Sequence, residues 1–120
     1  MLDLEQAGAG VEVVVVRGEH DLATAGDLRD HIEAAVSRAS GVVIDLTQAT
    51  FIDSAVLQAL LSGRDKAQAL GIPYVVALGE GTGYAVTRLL ELTGLDRRLD
   101  LEHDRAAAID AAARRSTAGP

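Results

Sequence analysis

The sequence predicts an α/β fold, in which a mixed and mostly parallel sheet of about four or five strands is covered by about four helices. Three runs rich in β-branched residues predict buried strands at residues 11–17, 42–46 and 74–78. Each run is followed by a segment whose apolar residues recur at helical spacing. The 120 residues are expected to form a single domain, 1–120, with its core at about 11–113.

The first third of the chain predicts two strands and a helix. Residues 2–4 form a short candidate strand, and the polar segment at residues 18–22 predicts a turn after the long VEVVVVR run. Thr24 is the predicted N-cap of the helix that follows, because Asp27 stands three residues later, and Gly41 is its predicted C-cap. One apolar face is formed by Leu28, Ile32, Val36 and Ala39.

The segment VVIDLTQATFIDSAVLQALL joins the central strand to the next helix. Residues 47–50 predict a polar loop, and the helix is expected to run from about Ser54 to Leu70. Ser54 therefore stands at a predicted helix start, beside Asp53. A helix start has unpaired backbone N–H groups and a partial positive charge, so it is expected to hold an anion such as a phosphate on Ser54.

The last third predicts a strand, a glycine-rich turn, a helix that ends near Gly94, a short strand and an alanine-rich helix. The turn at residues 79–83 resembles a phosphate-cradling loop, but it lacks the lysine of a P-loop and contains Glu80. A plain glycine loop is therefore favoured. The last helix is expected from Asp104 through Arg115, and residues 116–120 predict a flexible tail.

The composition excludes several classes of function. A net charge of −7 and only three aromatic residues argue against nucleic-acid binding. The chain has no cysteine, its three histidines are widely spaced, and no metal site or cofactor is predicted. No apolar run is long enough to span a bilayer, and the acidic MLDLEQAG start argues against a signal peptide, so a cytoplasmic protein is expected.

The carboxyl ends of parallel strands meet at one edge of a sheet, so Asp21, Ser54 and the glycine-rich turn are predicted to share that edge. Ser54 has three interpretations there: a helix cap together with Asp53, a catalytic nucleophile, or a phosphate acceptor. Catalysis is disfavoured, because no glycine elbow flanks Ser54 and His20 is the one histidine expected at this edge.

A phosphate on Ser54 would act on a binding surface. It would add about −1.5 to −2 units of charge beside Asp21 and Asp53. Phe51 and Ile52 are expected to contribute apolar surface to the same edge. A protein partner that docks there would meet new charge and bulk, which is the physical basis of a binding switch.

Three stretches of the chain resemble the STAS domain family, and more specifically bacterial anti-anti-sigma factors, also called anti-sigma factor antagonists. They are GEHDLATAGDL, the central VVIDLTQATFIDSAVLQALL and RLLELTGLDRRLDL, and the alanine-rich last helix follows them. The resemblance implies a protein that binds a serine-kinase anti-sigma factor and releases it once a serine is phosphorylated. It implies no enzymatic activity of its own.

Carried over residue by residue, the resemblance assigns phosphorylation to Ser54 and partner binding to Asp21, Asp53, Ser54, Ala55 and Val56. Family members usually continue the Asp-Ser motif with Ser or Thr, Gly and Leu, whereas this chain has Ala55 and Val56 before the leucine. A monomer or weak homodimer, with no nucleic acid and no direct membrane insertion, is expected. The alternatives are an unphosphorylated STAS scaffold subunit of a signalling or membrane-transport complex, and a small nucleotide-binding or hydrolytic protein.

Overall fold

The computed structural model describes residues 1–118. Five strands form one sheet, and their order across the sheet is their order along the chain. The strands are Leu2–Gln6 (β1), Val11–His20 (β2), Gly41–Ile52 (β3), Tyr74–Ala77 (β4) and Leu101–Glu102 (β5). The helices are Leu22–Arg38 (α1), Ser54–Leu70 (α2), Tyr84–Leu92 (α3) and Arg105–Ala118 (α4), with a 3-10 helix at Leu95–Arg97. The prediction of a mixed, mostly parallel sheet with four helices is confirmed.

The sheet is mixed because only β1 runs against its neighbour. β1 pairs with β2 antiparallel, whereas β2, β3, β4 and β5 are parallel to one another. Right-handed crossovers between strands in sequential order put their helices on the same face of the sheet, so α1, α2 and α3 form one layer. None of the helices described within residues 1–118 has the length and apolar character needed to cross a bilayer.

The two faces of the sheet are packed by different side chains. Leu28, Ile32, Leu60 and Leu90 from the three-helix layer fill one core. On the other face, α4 packs its alanines on a valine-rich surface of β2, β3 and β4. Arg105 of α4 also binds the buried carboxylate of Asp45 on β3, with 3.0 Å between Nη1 and Oδ2.

β2 and β3 are longer than the sequence predicts. The predicted turn at residues 18–22 and the predicted loop at residues 47–50 are wrong, because both segments continue as paired strands as far as His20 and Ile52. Backbone pairing does not depend on side-chain polarity, so polar residues continue the ladder where the two strands support each other. The result is a two-stranded extension that projects past the end of β4.

The ends of α1 also differ from the prediction. Asp21, not Thr24, is the N-cap, and its carboxylate accepts a hydrogen bond from the Ala23 N–H at 2.9 Å. Thr24 instead completes a capping box by accepting from the Asp21 N–H. Aspartate and threonine both cap helices well. Because β2 stays paired with β3 as far as His20, the helix begins directly after Asp21, and Asp21 becomes the cap. The helix ends at Arg38 with Ala39 as C-cap, and Gly41 is the first residue of β3.

α4 begins after Asp104, whose carboxylate accepts from the Ala107 N–H at 2.7 Å. The helix continues through Ala118, so the predicted tail is helical at residues 116–118. The last two residues of that predicted tail, 119–120, lie outside the described residues.

α1 and α2 approach closely at Gly63. A Cβ atom on Gly63 would lie 2.3 Å from the Ile32 Cγ2 and 2.8 Å from the Tyr74 hydroxyl oxygen. That hydroxyl donates to the Leu60 carbonyl at 2.8 Å, and burial raises the pKa of Tyr74 well above its usual value. Even one methyl group at residue 63 therefore has no space.

Gly63→Ala is expected to lower the free energy of unfolding by about 1–2 kcal/mol. Alanine gains about 1 kcal/mol in helix propensity, but a contact as short as 2.3 Å places the overpacking cost in the upper part of its usual range, at about 2–3 kcal/mol. The control is Gly26→Ala in α1, where no atom lies within 4 Å of the added methyl group. That variant should gain about 0.5–1 kcal/mol. Urea unfolding of both variants measures the difference, and a stabilised Gly63→Ala would contradict the close packing.

Candidate protein-docking site

The carboxyl ends of β2 and β3 lie side by side. His20 pairs with Ile52, so Asp21 and Asp53, the next residues of each chain segment, follow at the same edge. Asp21 caps α1 and Asp53 caps α2. The topology thus brings Asp21 and Ser54 into one neighbourhood, as the sequence predicted.

Ser54 is the first residue of α2, and its side chain is exposed. Asp53 is the cap: its Oδ1 accepts from the Ala55 N–H at 3.0 Å and from the Val56 N–H at 3.2 Å. The cap interpretation therefore applies to Asp53 and not to Ser54. In the unmodified chain these two N–H groups are therefore already bound to Asp53.

Ala55 and Val56 occupy different environments. Ala55 is half-buried, whereas Val56 is completely buried in the core beneath the three helices. The interpretation of Val56 as a residue that touches a partner is wrong for this fold, because its side chain does not reach the surface. Val56 belongs to the apolar stripe that holds the start of α2 on the sheet.

His20 is buried and already hydrogen-bonded. Its Nδ1 lies 3.0 Å from the Thr24 hydroxyl, and its Nε2 lies 3.0 Å from the Arg17 carbonyl oxygen. His31 bonds the carbonyl of Asp27 within its own helix. Within residues 1–118, no hydrogen bond joins a histidine to Ser54, and no group of metal-binding side chains is assembled. The arrangement does not activate Ser54 as a nucleophile.

The glycine-rich turn packs on the extended part of β3. The Gly83 N–H donates to the Ala49 carbonyl at 2.8 Å. A Cβ atom on Gly83 would lie 2.3 Å from the Thr50 carbonyl oxygen, and one on Gly81 would lie 2.6 Å from that of Thr47. Glycine is therefore needed for close approach to backbone, and the turn positions the start of α3 beside the carboxyl ends of β2 and β3.

Three apolar side chains at this edge are exposed to solvent. Leu22 begins α1 and is 77% exposed, and Tyr84 begins α3 and is 79% exposed. Phe51 lies on β3 and is 43% exposed, whereas Ile52, expected to contribute to the same apolar surface, is buried. Sequence reasoning missed Leu22 and Tyr84. The available signal was an apolar residue directly after the caps of α1 and α3 at the carboxyl edge.

The carboxylates of this edge have no basic partners. Glu19, Asp21 and Asp53 form no ion pair within residues 1–118, although carboxylates elsewhere in the fold do. The ion-paired ones include Asp3 and Glu5 with Arg17, Glu12 with Arg38, Asp45 with Arg105, and Asp100 with Arg115. The docking edge therefore combines exposed apolar surface with carboxylates that form no ion pair, two of which cap helices. We call Asp21, Leu22, Phe51, Asp53, Ser54 and Tyr84 the docking edge.

Comparison with known proteins gives consistent results. The family model described as "Mlab, STAS domain" matches residues 4–103. An anti-sigma factor antagonist from Mycobacterium paratuberculosis is 32% identical, with a TM-score of 0.82 over 93% of this chain and 92% of that one. No sequence among the curated proteins matches the chain.

Two further solved structures are similar in fold. The phosphorylated form of the Bacillus cell fate determinant SpoIIAA is 17% identical, with a TM-score of 0.70 over 92% of this chain and 98% of that one. A sulfate transporter family protein from Wolinella succinogenes is also 17% identical, with a TM-score of 0.69 over 96% and 93%. The same fold thus occurs in regulators and in a transporter family.

Proposed function

The chain belongs to the STAS domain family, and from that membership we propose that it is an anti-sigma factor antagonist switched by phosphorylation of Ser54. In this proposal the partner is a serine-kinase anti-sigma factor in the cytoplasm. The unmodified chain binds that partner and so frees a sigma factor. The chain needs no cofactor and catalyses no reaction itself.

The observation behind the proposal is the setting of Ser54. Its hydroxyl is exposed at the first position of α2, so a bound kinase can reach it. Phosphoryl transfer would form a bond between the Ser54 Oγ and the γ-phosphorus of ATP and break the bond to the leaving ADP, while a base of the kinase takes the hydroxyl proton. The modified side chain would then stand between exposed apolar groups.

The switch follows from hydration. A phosphate on Ser54 finds the Ala55 and Val56 N–H groups already bound to Asp53, so it must keep water around it. Burying an unpaired charge in an interface is costly, and the phosphate also adds bulk. A partner that packs closely on Leu22, Phe51 and Tyr84 would therefore lose that packing.

The second candidate function is a STAS subunit that binds partners without phosphorylation. Two observations favour it: the fold also occurs in a sulfate transporter family protein, and Ala55 and Val56 depart from the usual family pattern. This candidate predicts the same docking edge with no phosphate on Ser54. Kinase treatment distinguishes the two.

Tyr84→Ala is expected to weaken binding of the anti-sigma factor kinase about five- to tenfold, because exposed aromatic residues are frequent interface anchors. Leu22→Ala should weaken binding less, about threefold. The matched control is Leu92→Ala, since Leu92 is 67% exposed at the opposite end of α3 from Tyr84. Isothermal calorimetry with the kinase measures the affinities.

All three side chains are exposed, so the variants are expected to fold normally. Equal affinity for wild type and Tyr84→Ala would show that α3 is not part of the surface that binds the kinase. A loss in Leu92→Ala as large as in Tyr84→Ala would place the interface elsewhere. Absence of any complex with the wild-type chain would contradict the proposed function itself.

A further inference from the structure

β1 is an edge strand with one open side. Its inner side pairs with β2, and within residues 1–118 no strand lies along its outer side. The opposite edge strand, β5, is only two residues long, whereas β1 has five residues and pairs with β2 without a bulge. The β1 sequence LDLEQ has no proline and no lysine, two residues that commonly prevent an edge strand from pairing. The shape and length of β1 therefore allow a further strand to pair with it.

The direction of the backbone groups in β1 follows from its ladder with β2. The Arg17 N–H donates to the Met1 carbonyl at 2.9 Å, and the Met1 nitrogen donates back to the Arg17 carbonyl at 2.8 Å. In an antiparallel ladder such hydrogen-bonded pairs alternate with pairs whose N–H and C=O groups point away from each other. Because the register has no shift, Leu2, Leu4 and Gln6 direct their N–H and C=O groups to the open side.

The two carboxylates of β1 have basic partners, so they do not protect the edge with unpaired charge. Arg17 forms ion pairs with both Asp3 and Glu5, and its Nη2 lies 3.7 Å from the Glu5 Oε2. Arg105 of α4 binds Glu5 as well. The other face of the strand presents Leu4, whose side chain is 38% exposed. The open edge therefore combines free backbone groups, compensated charges and an apolar side chain at its centre.

We propose that the outer edge of β1 pairs with β1 of a second copy of this chain, antiparallel and about a twofold axis at Leu4. This register places Leu4 opposite Leu4 of the second copy, and Leu2 opposite Gln6. All of these residues direct their backbone groups outward, so each outward N–H meets an outward carbonyl. A shift of the register by two residues would leave one of them without a partner. The strand is thus its own complement, which is why the occupant is a second copy.

The dimer would join the five strands of each copy into one continuous sheet. The β2 strands of the two copies then run in opposite directions, so the two docking edges lie at opposite ends of the sheet and both remain open. The contact is confined to five residues per copy, less than the surface of about 800 Å² per partner in a standard stable complex, so association is weak and reversible. This inference goes beyond the proposed switch and does not depend on it.

The first test is a disulfide cross-link, because the chain has no cysteine of its own. In the proposed register the two copies of Leu4→Cys face each other with Cα atoms about 5.5 Å apart, which suits a disulfide. Leu2→Cys and Gln6→Cys are the matched controls, since either variant alone places its two thiols roughly 13 Å apart, out of reach. Under mild oxidation Leu4→Cys should form covalent dimers at least about tenfold faster than either control.

A mixture of the two controls provides a second readout of the register. Leu2→Cys with Gln6→Cys should cross-link as a heterodimer, although neither variant cross-links alone. Equal cross-linking of Leu2→Cys, Gln6→Cys and Leu4→Cys when each is oxidised alone, or no faster cross-linking of Leu4→Cys, would overturn the proposed pairing.

The second test measures reversible association by sedimentation equilibrium. Leu4→Lys places two like charges opposite each other and should weaken the dimer at least about tenfold. The control is Leu70→Lys, since Leu70 is 56% exposed at the end of α2 and should leave association unchanged. A wild-type chain that stays monomeric at millimolar concentration, or equal association of Leu4→Lys and wild type, would contradict the dimer. Leu4→Lys should bind the anti-sigma factor kinase like wild type, so failure of the dimer is distinguishable from failure of the docking function.

Discussion

Ser54→Asp is expected to weaken binding of the anti-sigma factor kinase at least about tenfold while leaving the fold intact. One carboxylate only partly mimics a phosphate, but it faces the same difficulty, since Asp53 occupies the nearest N–H groups of α2. The charge must stay hydrated or be buried unpaired, and the latter typically costs several kcal/mol. Tenfold corresponds to about 1.4 kcal/mol, so even partial exclusion of the partner is sufficient.

The matched control is Ser62→Asp, the same chemical change at an exposed residue two turns further along α2. It should bind like wild type. Calorimetry at two salt concentrations distinguishes two causes of a loss in affinity. Salt weakens long-range repulsion between charges, but it does not remove the cost of desolvation or of added bulk. Recovery of Ser54→Asp binding at high salt would contradict the hydration mechanism, and equal affinity for wild type and Ser54→Asp would contradict the switch.

Val56→Gly is expected to lower the free energy of unfolding by about 3 kcal/mol, because it removes a fully buried valine from the core under α2. The control is Gln58→Gly, which introduces the same flexible residue at an exposed position of the same helix. It should cost only about 0.5–1 kcal/mol. Urea unfolding measures both.

The stability of Val56→Gly shows what the valine contributes at a position where the family motif usually has glycine. Glycine is usual where this chain has Val56, but here the side chain points away from the surface and contributes stability instead of contact. We expect no change in kinase affinity for the folded fraction of Val56→Gly. A variant as stable as Gln58→Gly would contradict the buried position of Val56.

Periodicity was sufficient to predict the layers of the fold but not the ends of its elements. The valine-rich runs indicated buried parallel strands, and the i, i+4 spacing of Leu28 and Ile32 indicated α1. The extensions of β2 and β3 were missed, because residues 18–20 and 47–50 are polar or small and lack the β-branched pattern that marks the rest of the two strands. The antiparallel direction of β1 likewise depends on tertiary pairing and not on a local pattern.

The candidate site was predicted in position but not in detail. Placing Ser54 beside Asp21 followed from the parallel topology alone. The division of roles between Asp53 and Ser54 did not, because both residue types cap helices and only the hydrogen bonds distinguish them. Exposure of Leu22 and Tyr84 depends on which neighbours cover each side chain, which helical spacing alone does not indicate. Burial of Val56 agrees with its place in the apolar stripe of α2.

Incubation of the preformed complex of this chain and its anti-sigma factor kinase with ATP is the most direct measurement of the switch. Peptide mass spectrometry locates the phosphate, and size-exclusion chromatography measures the fraction of chain that remains bound. Phosphate on Ser54 with parallel loss of the complex is predicted, together with a Ser54→Ala complex that persists in ATP. A complex that survives full phosphorylation of Ser54, or that dissociates equally in Ser54→Ala, would contradict the switch.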